Sequence, residues 1–214
     1  MKTMVVFGAS GGLGIKLVPY LKEKYIVIAL SSKDVDITSL SQVQHFFNTN
    51  DIDIVLNMSG KKHDVFLNKI EHSNYSAITN MLDVNILGSI NILASCLTKM
   101  IEKNYGRIIF ISSILVELNI PKTSLYSASK AFIDKLISVA NRENIKYGIT
   151  CNTIRLGYWD GGMCYNIDEK YQEMAKNKIG LKRWGKIEEL YNTIDYMIEN
   201  EYVCGTNLKI DGGI

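Results

Sequence analysis

The chain has 214 residues, 47% of them hydrophobic and 21% charged, with a formal net charge of +2. That length suffices for one domain, residues 1–214, with a sizeable core, and the near-balanced charge argues against a dedicated nucleic-acid surface, which shows clustered excess base. The four cysteines, Cys96, Cys151, Cys164 and Cys204, form no C-x-x-C pair, so reduced thiols in a cytoplasm are expected rather than a zinc knuckle or a disulfide framework.

The first apolar run, Met4 to Phe7, reads as a short buried strand. It breaks at Gly8, too soon for a signal peptide, and no apolar stretch reads as long enough to span a bilayer. Neither a membrane nor a metal partner is expected, since His45, His63 and His72 lack ligand-like spacing. Gly8, Gly12 and Gly14 then punctuate a turn that opens a helix from about Leu13 to Lys24. A strand, a glycine-rich turn and a helix N-terminus together make a phosphate site. The missing side chains admit a diphosphate to the backbone, and the free N–H groups favour its charge. Ser10 would add a hydroxyl donor.

Tyr25 to Leu30 reads as the second strand, completing a βαβ unit. The turn Ser31-Ser32-Lys33 follows, where a dinucleotide fold meets the adenine ribose. An acid there suits a free 2′-hydroxyl and a base suits a 2′-phosphate. Two hydroxyls and a lysine favour NADP over NAD. A helix is expected over Ser39 to Phe47, capped by Thr38 or Ser39, and a strand over Asp53 to Met58. Lys61 to Glu71 reads as irregular. Ser73 to Lys103 has helical spacing interrupted near Asp83-Val84-Asn85. A turn at Asn104 to Gly106 leads to a strand over Arg107 to Ser112 and a loop to Lys122. The amphipathic pattern from Thr123 to Asn144 predicts a long helix. A strand over Tyr147 to Ile154, a glycine- and aromatic-rich loop over Arg155 to Asn166, helices over Asp168 to Lys178 and Lys186 to Glu199, and a strand over Asn207 to Ile210 complete the chain. Alternating strands and helices predict an α/β fold with a single parallel sheet.

Tyr126 and Lys130 share one face of the long predicted helix at i, i+4. A phenol titrates near ~10, too high for a proton shuttle at neutral pH, and a neighbouring cation lowers that value by about one to three units. Tyr126 then serves as a general acid or base. Ser113, at a strand end, would hydrogen-bond the same substrate oxygen. Asn85 interrupts a helix, where its side chain or freed backbone would hold a water.

These motifs, in this order, resemble the short-chain dehydrogenase/reductase family over nearly the whole chain. GASGGLG at 8–14 resembles its cofactor loop, and NMSG at 57–60 its Asn-Asn-Ala-Gly motif. GRIIFISS at 106–113 resembles the serine-bearing strand, and YSASK at 126–130 the Tyr-x-x-x-Lys pair. NTIRLG at 152–157 and IDGG at 210–213 complete the series. The resemblance implies a doubly wound, Rossmann-like fold and a hydride transfer between NAD(P) and a ketone or secondary alcohol. It implies catalytic roles for Tyr126, Lys130, Ser113 and Asn85, the last fixing a water in a proton relay. It places the cofactor against Gly8, Ser10, Gly12, Leu13, Gly14, Ser31, Ser32, Lys33, Asp36, Ile37, Asn57, Met58, Ser59, Gly60, Tyr126, Lys130 and Gly157.

The chain departs from the family between its second and third strands. Leu30 and Asp34 are nearly adjacent, and a parallel crossover needs about a dozen residues. One family strand is therefore lost, and six main strands are expected in the family order 2-1-4-5-6-7, with Asp36 and Ile37 still passing the adenine. Gly161 stands where a threonine commonly meets the nicotinamide, leaving backbone groups around Gly157 and Tyr158 to replace it. The substrate is expected between Leu115 to Ile120, Lys61 to Phe66, and Tyr158 to Tyr165. Tyr158, Trp159, Met163 and Tyr165 would form walls, and Gly161-Gly162 would let the last segment close. Trp159 has core packing as its alternative, and Lys61, Lys62 and His63 are either loop charges or contacts to an anionic substrate. A 3-oxoacyl-carrier-protein reductase, a reductase of a sugar or polysaccharide precursor, and a non-catalytic dinucleotide sensor remain open. A homodimer or homotetramer, paired through helices near 85–103 and 123–144, is expected from the resemblance.

Overall fold

The computed structural model describes residues 1–162 and 168–214. Met163 and Tyr165, two of the expected pocket walls, and Cys164 lie outside them. The strands are β1 (Thr3–Phe7), β2 (Ile26–Leu30), β3 (Ile54–Asn57), β4 (Gly106–Ser113), β5 (Ile149–Leu156) and β6 (Asn207–Ile210). The helices are α1 (Gly12–Lys22), α2 (Leu40–Thr49), α3 (His72–Leu82), α4 (Gly88–Lys103), α5 (Ser124–Asn144), α6 (Glu169–Lys178) and α7 (Ile187–Glu199).

All six strands are parallel and lie in the order β2-β1-β3-β4-β5-β6. Alternate residues of each strand serve opposite faces. Val5, Phe7, Val55, Ile108 and Phe110 pack under α2, α4 and α5, against Phe46, Phe47, Ile92, Cys96 and Ile137. Met4, Val6, Ile54, Leu56, Ile109 and Ile111 pack under α1 and α7, against Leu17, Leu21, Leu190 and Ile194. Apolar residues at both parities are what a strand covered on both faces requires.

The connection from Leu30 to Leu40 forms turns and no strand, so β2 is an edge of the sheet. The shortness of that connection decides this, as expected. Two expectations are corrected. The fifth strand starts at Ile149, because Ile145–Tyr147 is a 3-10 turn closed by Gly148 in the left-handed region at φ 72°. It runs on to Leu156, with Arg155 bound to Asp134 rather than freed into a loop. The second correction concerns the apolar stretch from His72 to Lys103, which is a continuous 32-residue helix and is long and apolar enough to cross a membrane by length and composition. Its Ile92, Leu93, Cys96 and Met100 pack on the sheet instead.

That helix carries a π turn at Asp83–Leu87, between α3 and α4. Such turns free backbone groups inside a helix. It buries Asn85 and brings it beside the turn that follows β3.

Candidate active site

Every strand of this sheet ends at the same edge, and the turns beyond those ends form one groove. A cavity of about 410 Å³ lies at its β2 end, lined by Ser31, Ser32, Asp36, Ile37, Ser10 and Ser59 among others. Gly8, Met58 and Gly60 continue it into a space of about 690 Å³ along Gly12, Leu13 and Gly14. Leu13, Met58 and Gly60 then border a third cavity, of about 280 Å³, which holds Ser113, Tyr126, Lys130 and Gly157. α1 opens at Gly11 with no side-chain cap and no acid in its first turn. Its N–H groups are therefore left for an anion. The groove's length, its polar end beside β2 and this uncapped helix fit a dinucleotide.

Two expected cofactor residues are not among those lining the groove. Lys33 is exposed and lines none of the three cavities. Asn57 is buried, and its Oδ1 accepts hydrogen bonds from the backbone N–H and hydroxyl of Ser59. It shapes the 57–60 turn instead of facing the groove. The Asp34 carboxylate folds back to accept from the Ser31 N–H and hydroxyl, at 2.8 and 2.6 Å, which lowers its pKa.

Tyr126 and Lys130 project from the first turns of α5, 7% and 3% exposed. The ammonium of Lys130 lies 5.9 Å from the Tyr126 ring centre and donates to the Ile111 carbonyl at 2.8 Å. Burial drives its pKa down from 10.5 to about 8, against the upward pull of Asp134 one turn further along α5. Ser113 closes β4, and its Oγ accepts from the Leu115 N–H at 3.2 Å.

The side chain of Asn85 makes three hydrogen bonds. Its Oδ1 accepts from the Lys61 N–H at 2.8 Å, and its Nδ2 donates to the Lys61 carbonyl at 2.9 Å and to Ser129 Oγ at 3.0 Å. The Ser129 hydroxyl donates in turn to the Tyr126 carbonyl. Asn85 thus pins the 60–61 turn against α5. A Cβ at Gly60 would lie 3.2 Å from Lys130 Nζ and 3.5 Å from Asn85 Oδ1. Glycine is what admits the ammonium to this position.

The cavity that holds Tyr126 and Lys130 is walled by Leu115, Ile120, Pro121, Leu156, Tyr158 and Trp159. Trp159 meets both earlier expectations, since it also packs in the core with 5% exposure. Lys62, Asp64 and Lys122 add charge to the lining, while Lys61, His63 and Phe66 are not part of it. Lys62 stands 6.0 Å from the Tyr126 ring centre and pairs with Asp64 at 2.7 Å. Sequence reasoning missed Lys62 as a neighbour of the phenol, and missed Ser129. The latter sits inside YSASK and carried a signal, as a hydroxyl one turn from Tyr126.

A buried tyrosine–lysine pair and a strand-end serine thus share one cavity that opens to a dinucleotide groove. The model of the family described as Enoyl-(Acyl carrier protein) reductase matches residues 21–214. The chain belongs to the short-chain dehydrogenase/reductase family. It is an NAD(P)-dependent oxidoreductase acting between CH–OH and C=O. It is 26% identical to the 3-oxoacyl-(acyl-carrier-protein) reductase FabG of Rickettsia typhi, over 100% of this chain and 96% of that relative. It is 23% identical to the 3-oxoacyl-(acyl-carrier-protein) reductase MabA of Mycobacterium avium, over 100% of this chain and 89% of the relative. A solved NAD⁺-bound xylitol dehydrogenase shares its fold, with a TM-score of 0.87 at 21% identity, covering 99% of this chain and 98% of its own.

Proposed function

We propose that this chain reduces the 3-oxo group of an acyl thioester, with NADPH preferred to NADH, and that residues 1–214 act as one dinucleotide-binding domain. The observation that carries the reading is the convergence of Ser113, Tyr126 and Lys130 on a cavity walled by aliphatic and aromatic side chains. Such walls suit an acyl chain, whereas a sugar leaves its hydroxyls unpaired against them. Lys62 and Lys122 suit an anionic carrier. The names of the two reductase relatives point the same way.

When bound, the nicotinamide supplies the hydride. Tyr126 gives its phenolic proton to the substrate oxygen. Ser113 donates a hydrogen bond to that oxygen and orients the carbonyl. Lys130 stabilises the phenolate that Tyr126 becomes, and would hold the nicotinamide ribose. Asn85 holds the 60–61 turn, and so the ammonium, in place. Ser31 and Ser32, on the groove at the β2 end, support the NADP preference. A cytoplasmic location belongs to the same reading, supported by that substrate class and by the free thiols Cys96, Cys151 and Cys204.

NADPH oxidation by an acetoacetyl thioester, beside a ketose and polyol panel, tests the proposal. Turnover should favour the thioester, and Tyr126→Phe should lose about 10²-fold or more. Equal slow rates in wild type and variant would favour a dinucleotide sensor instead, and preferential turnover of ketoses would favour the sugar-precursor reading.

The same reading includes a homodimer through α4 and α5. Ile90, Leu93, Leu97, Leu136 and Val139 line an apolar furrow between these helices, and Leu87 is 49% exposed beside it. Sedimentation of wild type and Val139→Glu should show a dimer and a monomer. A monomeric wild type would end this part of the proposal.

A further inference from the structure

The segment Tyr158–Gly162 walls the catalytic cavity and also lies on the first turns of α1. Asp160 Oδ2 accepts a hydrogen bond from Lys16 Nζ at 2.9 Å. The Gly161 carbonyl stands so close to α1 that a Cβ built on Gly12 would lie 2.0 Å from its oxygen. A Cβ built on Gly161, at φ 88°, would lie 3.1 Å from Lys16 Nζ. This strap therefore presents a carboxylate and a carbonyl, both acceptors, to the cationic end of the glycine loop. Lys16 is four residues beyond Gly12, so it stands one turn above it on the same face.

We propose that Lys16 is a further binding residue for the cofactor diphosphate, and that Asp160 competes with that diphosphate for its ammonium. The proposal rests on the reading of the glycine loop as the cofactor's cradle. Lys16 and Asp160 have side chains 40% and 49% exposed. Exposed pairs of this kind are weak, so the exchange of one anion for another meets little resistance. The diphosphate brings more charge than one carboxylate and gains the N–H groups of α1 as well. Exchange at Lys16 releases the Asp160 carboxylate from α1, while the backbone of Tyr158 and Asp160 stays hydrogen-bonded to Gly185.

Calorimetric titration of wild type, Asp160→Asn, Lys16→Met and the double variant tests this. The titrants are NADP⁺ and 5′-AMP, which lacks the diphosphate bridge and the nicotinamide half. Asp160→Asn should bind NADP⁺ about three- to tenfold tighter, and Lys16→Met about tenfold weaker with a flatter salt dependence. Affinity for 5′-AMP should change less than about twofold, and Asp160→Asn should gain nothing in the Lys16→Met background. Unchanged or weaker NADP⁺ binding by Asp160→Asn overturns the proposal, as does a Lys16→Met defect of equal size for both nucleotides. Wild type that binds neither NADP⁺ nor NAD⁺ overturns the cradle reading and this proposal with it.

Discussion

Replacing Lys130 with methionine should make the nucleotide-free protein more stable while destroying its activity. The ammonium is buried at 3% exposure, and Asp134, the acid nearest it along α5, is itself bound to Arg155 at 2.7 Å and to Thr153 at 2.8 Å. Burial lowers the pKa from 10.5 to about 8. At about 1.4 kcal/mol for each tenfold, that difference corresponds to roughly 3 kcal/mol of unfavourable burial of the charged form. The variant also orphans the Ile111 carbonyl, which costs about 1 kcal/mol. The net gain is therefore about 2 kcal/mol at pH 7.

The pH dependence has a definite sign. Between pH 8 and 10.5 the unfolded chain keeps a proton on Lys130 that the folded chain has lost. Wild-type stability therefore rises with pH across that window, and the variant's advantage shrinks. Urea unfolding of both proteins from pH 7 to 9.5, without nucleotide, measures this. A variant less stable than wild type at pH 7, or a gap that stays constant with pH, would refute the reasoning.

The same titration should appear in catalysis. The free-enzyme profile of kcat/KM for reduction should fall as pH rises through about 8, because the ammonium that supports the phenolate is lost. A flat profile from pH 7 to 9.5 would remove Lys130 from that role. Gly60→Ala would press on the ammonium from 3.2 Å, and should lose about tenfold or more in kcat while the protein stays folded. Circular dichroism beside steady-state kinetics separates the two effects. Ser32→Asp would put a carboxylate on the adenosine end of the groove, and should weaken NADP⁺ binding by about tenfold or more while sparing NAD⁺. Equal losses for both nucleotides would place the 2′-phosphate elsewhere.

The helices were legible in the sequence because each buries one face with a clean period, and the strands because short apolar runs end at turn residues. The interruption at Asp83-Val84-Asn85 read correctly as a break in helical spacing, and it is a π turn. The start of β5 was misplaced because Tyr147 is apolar and aromatic, whereas Gly148 in the left-handed region sets the strand's beginning. Within the site, Tyr126 and Lys130 were legible because their relation is local to one helix. The side-chain work of Asn85 was not, because its partner Lys61 is 24 residues away. Lys16 and Asp160, 144 residues apart, follow the same rule. The exposure of Lys33 was not legible, since a basic residue in a turn reads alike whether it faces a groove or water.

The short connection after β2 has a cost at the rim of the sheet. Among the described residues Ile26–Leu30 pairs with β1 alone in the sheet, which leaves its other side unladdered, and Ile26 is 52% exposed. A bare margin of this sort invites another polypeptide to lie down beside it and extend the ladder. At five residues it is short, which is one way natural sheets keep such margins from seeding aggregates. Lengthening this strand while trimming the turn behind it would turn economy of chain into a self-association hazard.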